Sequence, residues 1–128
     1  MPSDESSIQD YIASWDGRLR GTLLELAILY QAAFFQDIYP YSLKKKLNNE
    51  WGNHAPPLPT IYSTINRLEK AKFIQTKSEI INSRIQKKIE ILDTGWSVLE
   101  KMLDELKTFL KVFEYHEKEL DITKRRRR

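Results

Sequence analysis

The chain contains no cysteine. Disulfides, thiolate metal sites and cysteine nucleophiles are thereby excluded, and the composition is compatible with a reducing compartment. Its four glycines stand singly at positions 17, 21, 52 and 95, so there is no glycine-rich loop to cradle a phosphate and no nucleophile elbow. The two histidines, His54 and His116, lie far apart, and neither has metal-ligand spacing around it. Both read as surface residues; no cofactor, metal ion or catalytic group is expected, and the chain does not read as an enzyme. Long apolar runs are missing too. None approaches the roughly 20 residues that span a bilayer, and the first 15 residues are acidic and polar, unlike a secretory signal. The expectation is a soluble cytoplasmic protein with no membrane partner.

What the chain has instead is charge, unevenly placed. At 128 residues it has the length of one domain, and its net charge is only +3. Residues 1–40 carry two basic and six acidic side chains, residues 41–90 ten basic and four acidic, and residues 91–123 four basic and eight acidic. Lys124 to Arg128 then add five consecutive cations. A basic block between two acidic ones is the electrostatic footprint of a polyanion binder, with nucleic acid the leading partner.

The basic block contains the segment Pro56 to Ile74, which reads as a helix held by one edge. Prolines 56, 57 and 59 forbid helix before it but suit its first turn, placing the start near Pro59 or Thr60. Ile61, Ile65 and Leu68 then form a narrow apolar stripe, and Thr60, Ser63, Asn66, Arg67 and Lys70 fall on the far side. Hydrogen-bonding and cationic side chains on a helix anchored from behind are what reading base edges in a major groove requires. Tyr62 lies at the margin, either a core residue or a DNA contact. An ordinary amphipathic surface helix has the same pattern, and the surrounding charge favours the DNA-reading alternative.

The flanking segments supply a frame. Ile8, Tyr11, Ile12 and Trp15 have helical spacing, with Asp16-Gly17 reading as a stop, so residues 1–17 form an N-terminal arm or short helix. From Leu19 to Phe35 one stripe (Leu19, Leu23, Leu26, Ala27, Tyr30, Ala33, Phe34) leads and a second (Leu24, Ile28, Phe35) supplements it, so this central helix must be covered on more than one side. Asp37 to Pro40 break it. A further helix from Tyr41 buries Leu43, Leu47 and Trp51 and stops at Gly52, carrying Lys44, Lys45 and Lys46 in its first turns as candidate phosphate contacts. With the segment after Pro56 it makes a helix-turn-helix.

After Leu68 the periodicity becomes extended. Phe73–Glu79 and Arg84–Leu92 read as two strands joined through Ile80-Ile81-Asn82-Ser83, a hairpin decorated by Lys77, Arg84, Lys87 and Lys88. A hairpin after a helix-turn-helix is a wing. The last helix, capped by Asp93 or Thr94 and running towards Glu119, spaces Leu99, Leu103, Leu106, Leu110 and Phe113 by alternating fours and threes, with Met102 and Phe109 (and Trp96) widening the seam. So long a helix outruns a small core, and a second copy of the chain is the economical partner for its distal face. The fold class is therefore mainly α with a small β-hairpin wing: a winged helix-turn-helix over 18–92, a dimerisation helix over 93–120 and a basic tail over 121–128 that either scans phosphates or solubilises.

Leu19-Arg20-Gly21-Thr22-Leu23-Leu24-Glu25-Leu26, Tyr41-Ser42-Leu43, Thr60-Ile61-Tyr62, Arg67-Leu68-Glu69, Phe73-Ile74 and Asp93-Thr94-Gly95 resemble the PadR family of winged-helix transcriptional regulators over residues 18 to about 113. The resemblance implies a homodimer joined through the C-terminal helix that binds operator DNA, usually as a repressor, with a small-molecule effector left open. Pro40 and Lys72 stand where that pattern has glycine, and Lys88-Ile89-Glu90-Ile91 replaces a tyrosine-rich wing motif. The expected function is a dimeric, sequence-specific regulator of transcription that binds double-stranded DNA and is associated with the nucleoid. An architectural DNA binder of weak sequence preference and a protein-interaction module are the alternatives, separable by the affinity ratio between one operator and bulk DNA.

Overall fold

A computed structural model describes residues 4–120 of the chain. Helix α1 (Asp4–Phe34) is followed by α2 (Pro40–Trp51), a 3-10 turn (Gly52–His54), α3 (Leu58–Lys70), strands β1 (Ile74–Ile81) and β2 (Arg84–Ile91), and α4 (Asp93–Leu120). The basic tail falls outside the described residues. No helix among them is long and apolar enough to cross a membrane.

Helix α1 corrects the first expectation: it passes through Asp16-Gly17 without a break. A glycine within a helix costs only about 1 kcal/mol, and a stop needs a left-handed residue or a breaker after it. Here the turns on either side are stitched together instead, by Arg20 to Asp16 at 2.8 Å and Arg18 to Ser14 at 2.8 Å. The ranking of its two stripes is also inverted. Leu24, Ile28, Leu29 and Ala32 are buried, whereas Leu23, Leu26, Ala27 and Ala33 are half-buried and Leu19, Tyr30, Phe34 and Phe35 are exposed. The core takes the stripe that faces α2, α3 and β2; α4 covers the other only in part.

The segment after α1 does more than break the helix. Ile38 is fully buried and pairs with β2, its carbonyl accepting the Ile89 amide at 2.8 Å. Helix α2 then starts at Pro40, one residue before the expected Tyr41, because proline at the first helical position loses no hydrogen bond. Leu43 and Leu47 are buried, Trp51 is half-buried, and Gly52 at φ +64° ends the helix as its sequence suggests.

Helix α3 buries Ile61, Thr64, Ile65 and Leu68. Thr64 joins the expected apolar stripe because its hydroxyl donates to the Thr60 carbonyl at 2.8 Å and so carries no unmet polar cost. At its end Lys72 adopts φ +65°. Its amide donates to Glu69 O and that of Phe73 to Leu68 O, the crossed pair of bonds that closes a helix through a left-handed residue. This conformation favours glycine, which explains why the related pattern has glycine where this chain has Lys72.

Strands β1 and β2 pair antiparallel from Ile74↔Ile91 to Ile81↔Arg84, leaving only Asn82 and Ser83, both at positive φ, as the turn. The expected four-residue connection is thus two residues long, and Ile80 and Ile81 belong to the strand. A two-residue turn with both residues left-handed matches the twist of a hairpin. Helix α4 is seated on the root of this hairpin: Leu92 donates to Phe73 O at 3.0 Å, and the Thr94 hydroxyl donates to Lys72 O. Gly95 is buried against Phe73, and a methyl group on it would overlap the Phe73 carbonyl oxygen and the Ile91 side chain. Leu99 is buried, Met102, Leu103 and Leu106 are half-buried against α1, and Phe109, Leu110 and Phe113 are exposed.

Gly95→Ala should therefore destabilise the protein by about 1–3 kcal/mol through overpacking against backbone, while Lys72→Gly should be neutral or stabilise it by up to about 1 kcal/mol by relieving the left-handed conformation. Urea unfolding of the two variants beside the parent measures both signs.

Candidate nucleic-acid interface

Packing of α3 leaves one face outward. With Ile61, Thr64, Ile65 and Leu68 inside, Tyr62, Ser63, Asn66 and Lys70 project to solvent, with Thr60 and Arg67 beside them. Tyr62 is thereby settled as a surface residue. The only carboxylate of the helix, Glu69, is turned away: it accepts from the Thr76 amide at 2.9 Å and the Thr76 hydroxyl at 2.8 Å, tying α3 to β1. The outward face consequently carries hydroxyls, an amide and a cation but no acid.

Two structures border this face. On one side stands α1, whose Glu25 holds Arg67 through Nε at 3.0 Å and Nη2 at 2.5 Å. Arg67 is the flanking residue its position on the helix suggested, and here it is engaged by its own protein. On the other side stands the hairpin, and between it and the starts of α2 and α3 lies a cleft of about 540 Å³ lined by Pro40, Tyr41, Tyr62, Arg84, Ile85 and Lys87, among others.

The expected cations divide by their surroundings. Lys45, Lys70, Arg84 and Lys87 are exposed and form no ion pair among the described residues. Lys44 is half-buried and donates to Pro56 O at 2.8 Å, bracing the turn before α3, and Lys46 sits 3.7 Å from the Phe35 ring centroid. Lys77 pairs with Glu90 at 3.2 Å, and Lys88 with Asp37 at 3.4 Å and Glu79 at 4.0 Å. These last two share one hairpin face with Glu79 and Glu90. There Glu79 accepts the Tyr39 hydroxyl at 2.8 Å, pushing that phenol up to about 12, and hydrogen bonds from Gln75 and Lys77 hold Glu90 below the usual carboxylate range. The hairpin is thus electrostatically uneven: Lys77 and Lys88 are neutralised, whereas Lys87 on the other face and Arg84 beside the turn form no ion pair among the described residues. Spacing alone did not separate Lys77 and Lys88 from Lys87, although the strict alternation of a strand puts them on opposite faces.

Tyr41, Ile80 and Ile85 escaped the sequence reading. The signal was present in Asn82-Ser83: a two-residue turn there makes Ile80 and Ile85 direct neighbours across the hairpin. Among the described residues no three His, Asp or Glu side chains gather where they could share a metal ion.

This architecture recurs in solved structures. A PadR family transcriptional regulator from Eggerthella lenta superposes with a TM-score of 0.74 at 21% identity, over 84% of this chain and 92% of its own. A PadR-like transcriptional regulator from Bacillus cereus gives 0.65 at 26% identity over 73% and 89%, and a PadR family transcription regulator from Clostridium difficile gives 0.62 at 19% over 72% and 95%. No family model and no curated protein matches the chain. The chain has the PadR-like winged-helix fold, mainly helical with a two-stranded hairpin and a long C-terminal helix.

Glu69 is the joint between α3 and the wing. Glu69→Ala leaves the Thr76 amide and hydroxyl without their acceptor and should cost about 1.5–3 kcal/mol, as for hydrogen bonds to a charged group; chemical denaturation measures the loss, and hydrogen exchange should show it first in β1.

Proposed function

We propose that this chain is a divergent PadR-type regulator that binds double-stranded DNA, with α3 in the major groove and the hairpin against the neighbouring backbone. One observation carries the reading: the outward face of α3 offers Tyr62, Ser63, Asn66 and Lys70 with its sole carboxylate turned inward, beside a cleft edged by unpaired Arg84 and Lys87. Asn66 has the donor and acceptor to hold adenine through two hydrogen bonds, and Lys45, Lys70, Arg84 and Lys87 suit phosphates. Arg67 must first leave Glu25, so its net contribution is smaller than its chemistry alone would give. Lys44, Lys46, Lys77 and Lys88 act mainly within the protein. Residues 18–92 would form the DNA-binding unit, 93–120 the dimerisation helix and 121–128 a basic extension, with the N-terminal turns of α1 packing on their own domain or on a partner subunit. Repression and a nucleoid location belong to this reading, and any effector is a further ligand of the same assembly.

The dimer is supported by the apolar surface left over. Phe109, Leu110 and Phe113 on α4 and Ile8, Tyr11, Ile12 and Trp15 on α1 are exposed large hydrophobics, more than single scattered residues account for. A second copy covers both. Sedimentation of Leu106→Lys/Leu110→Lys against the parent tests it: the parent should be dimeric at micromolar concentration, the variant monomeric and weaker on DNA. A monomeric parent would refute the dimer.

Sequence reading is tested by selecting duplexes from a random library and titrating variants against the selected site and a scrambled one at a single salt concentration. Asn66→Ala should cost about 1–3 kcal/mol on the selected site and much less on the scrambled one. Lys45→Ala should weaken both alike. Equal losses for both variants on both duplexes would favour an architectural binder instead.

A further inference from the structure

Ile80 and Ile85 are the most exposed large apolar side chains of the protein's described residues, at 78% and 76%. They are direct cross-strand partners, one pair back from the Asn82-Ser83 turn. Strand alternation puts them on the same hairpin face as Ile74 and Ile89, which are buried, so they continue a core-facing row beyond the point where the core ends. Ile85 lines the cleft it shares with Tyr62 of α3. Nothing among the described residues covers this pair, and any β-branched residue would hold the strand.

We propose that the Ile80–Ile85 pair is an apolar wedge that enters the minor groove of DNA held by α3 and opens a base step there. The inference rests on the DNA-binding reading above. Three features select this occupant. First, the pair is continuous with the outward face of α3, so a duplex seated on that face carries its next groove past the hairpin tip. Second, Lys87 shares the face of Ile85 and forms no ion pair among the described residues, and Arg84 adjoins Ile85 at the turn, whereas Glu79 and Glu90 lie on the opposite face and are taken up there, so the wedge is presented inside a field suited to phosphates. Third, a second copy meeting this patch symmetrically would set Lys87 against its own counterpart, and this hairpin face carries no carboxylate to answer it. Apolar side chains inserted in this way unstack a step and bend the duplex, giving preference for flexible pyrimidine–purine steps without a base-edge hydrogen bond.

The test uses the full chain, its Ile80→Thr/Ile85→Thr variant and an Arg84→Gln/Lys87→Gln variant, on two end-labelled duplexes of equal composition, one with regularly spaced TA steps and one with A-tracts. Threonine keeps strand propensity while removing the apolar tip, and unchanged thermal unfolding verifies the fold. The parent should bind the TA duplex more tightly and shorten its end-to-end distance by energy transfer. The isoleucine variant should bind it about ten-fold more weakly, lose the preference and leave it straight, with an unchanged salt slope. The charge variant should lower the salt slope and keep the preference. A parent that binds both duplexes alike without bending either, or an isoleucine variant identical to it in preference and bend, overturns the wedge while leaving the DNA-binding reading intact. A parent that binds neither duplex overturns both. Sedimentation that shows the isoleucine variant losing self-association, with bend and preference unchanged, assigns the pair to a second copy and overturns the wedge.

Discussion

Everything that faces outward in this protein depends on α3 being buried along one edge and no further. Its stripe of Ile61, Thr64, Ile65 and Leu68 belongs to the same core as Leu24, Ile28, Ile38, Leu43, Ile74 and Ile89, so residues from α1, α2 and both strands hold it from behind. Burial of aliphatic side chains at about 25 cal/mol per Å² makes this a strong but non-directional anchor. Direction comes from the polar ties at its margins. Glu69 to Thr76 sets the angle to the hairpin, and Glu25 to Arg67 sets the angle to α1. Lys44 to Pro56 secures the entry. The apolar contacts decide that the helix is held, and the margin contacts decide which residues it shows.

The same division governs the charges. In sequence the basic block looks uniform, and its net excess is real, but the fold spends part of it internally. Lys77 and Lys88 brace the back of the hairpin against Glu90, Asp37 and Glu79, and Lys46 lies over Phe35. Among the described residues Lys45, Lys70, Lys72, Arg84 and Lys87 of this block form no ion pair, and Arg84 and Lys87 edge the cleft beside α3. Net charge per segment therefore shows where cations are in excess, and ion pairing decides which of them stay uncompensated within each element.

Much of the fold was legible because it rests on strong periodic signals. The four-and-three spacing of α4, the proline-led start of α3 and the glycine at φ +64° after α2 each have one physical reading. The misjudged places are those where a local signal is weak or tertiary contact decides. Gly17 reads as a stop only if nothing carries the helix across it, and the Arg20–Asp16 and Arg18–Ser14 contacts do so. Which stripe of α1 forms the core cannot be read from α1, since it depends on where α4 lies. Arg67 was placed on α3 at the margin of its outward face, but its capture by Glu25, forty-two positions away in the chain, is invisible to periodicity. Ile38 looked like part of a break because a single bridging residue has no period at all.

The joint at Gly95 has a mechanical consequence. Because that residue has no side chain, α4 rests backbone to backbone on the root of the hairpin, with the Phe73 carbonyl beneath it and the Thr94 hydroxyl clasping Lys72. A helix of 28 residues is about 42 Å long at 1.5 Å per residue; its first half is held by the hairpin root and by α1, and the half beyond Leu106 is exposed. It is a lever whose fulcrum is the wing. A tilt of a few degrees would shift the far end of α4 by several ångströms, and with no flexible linker between Ile91 and Asp93 the strand root at Phe73 and the α1 contact would share it.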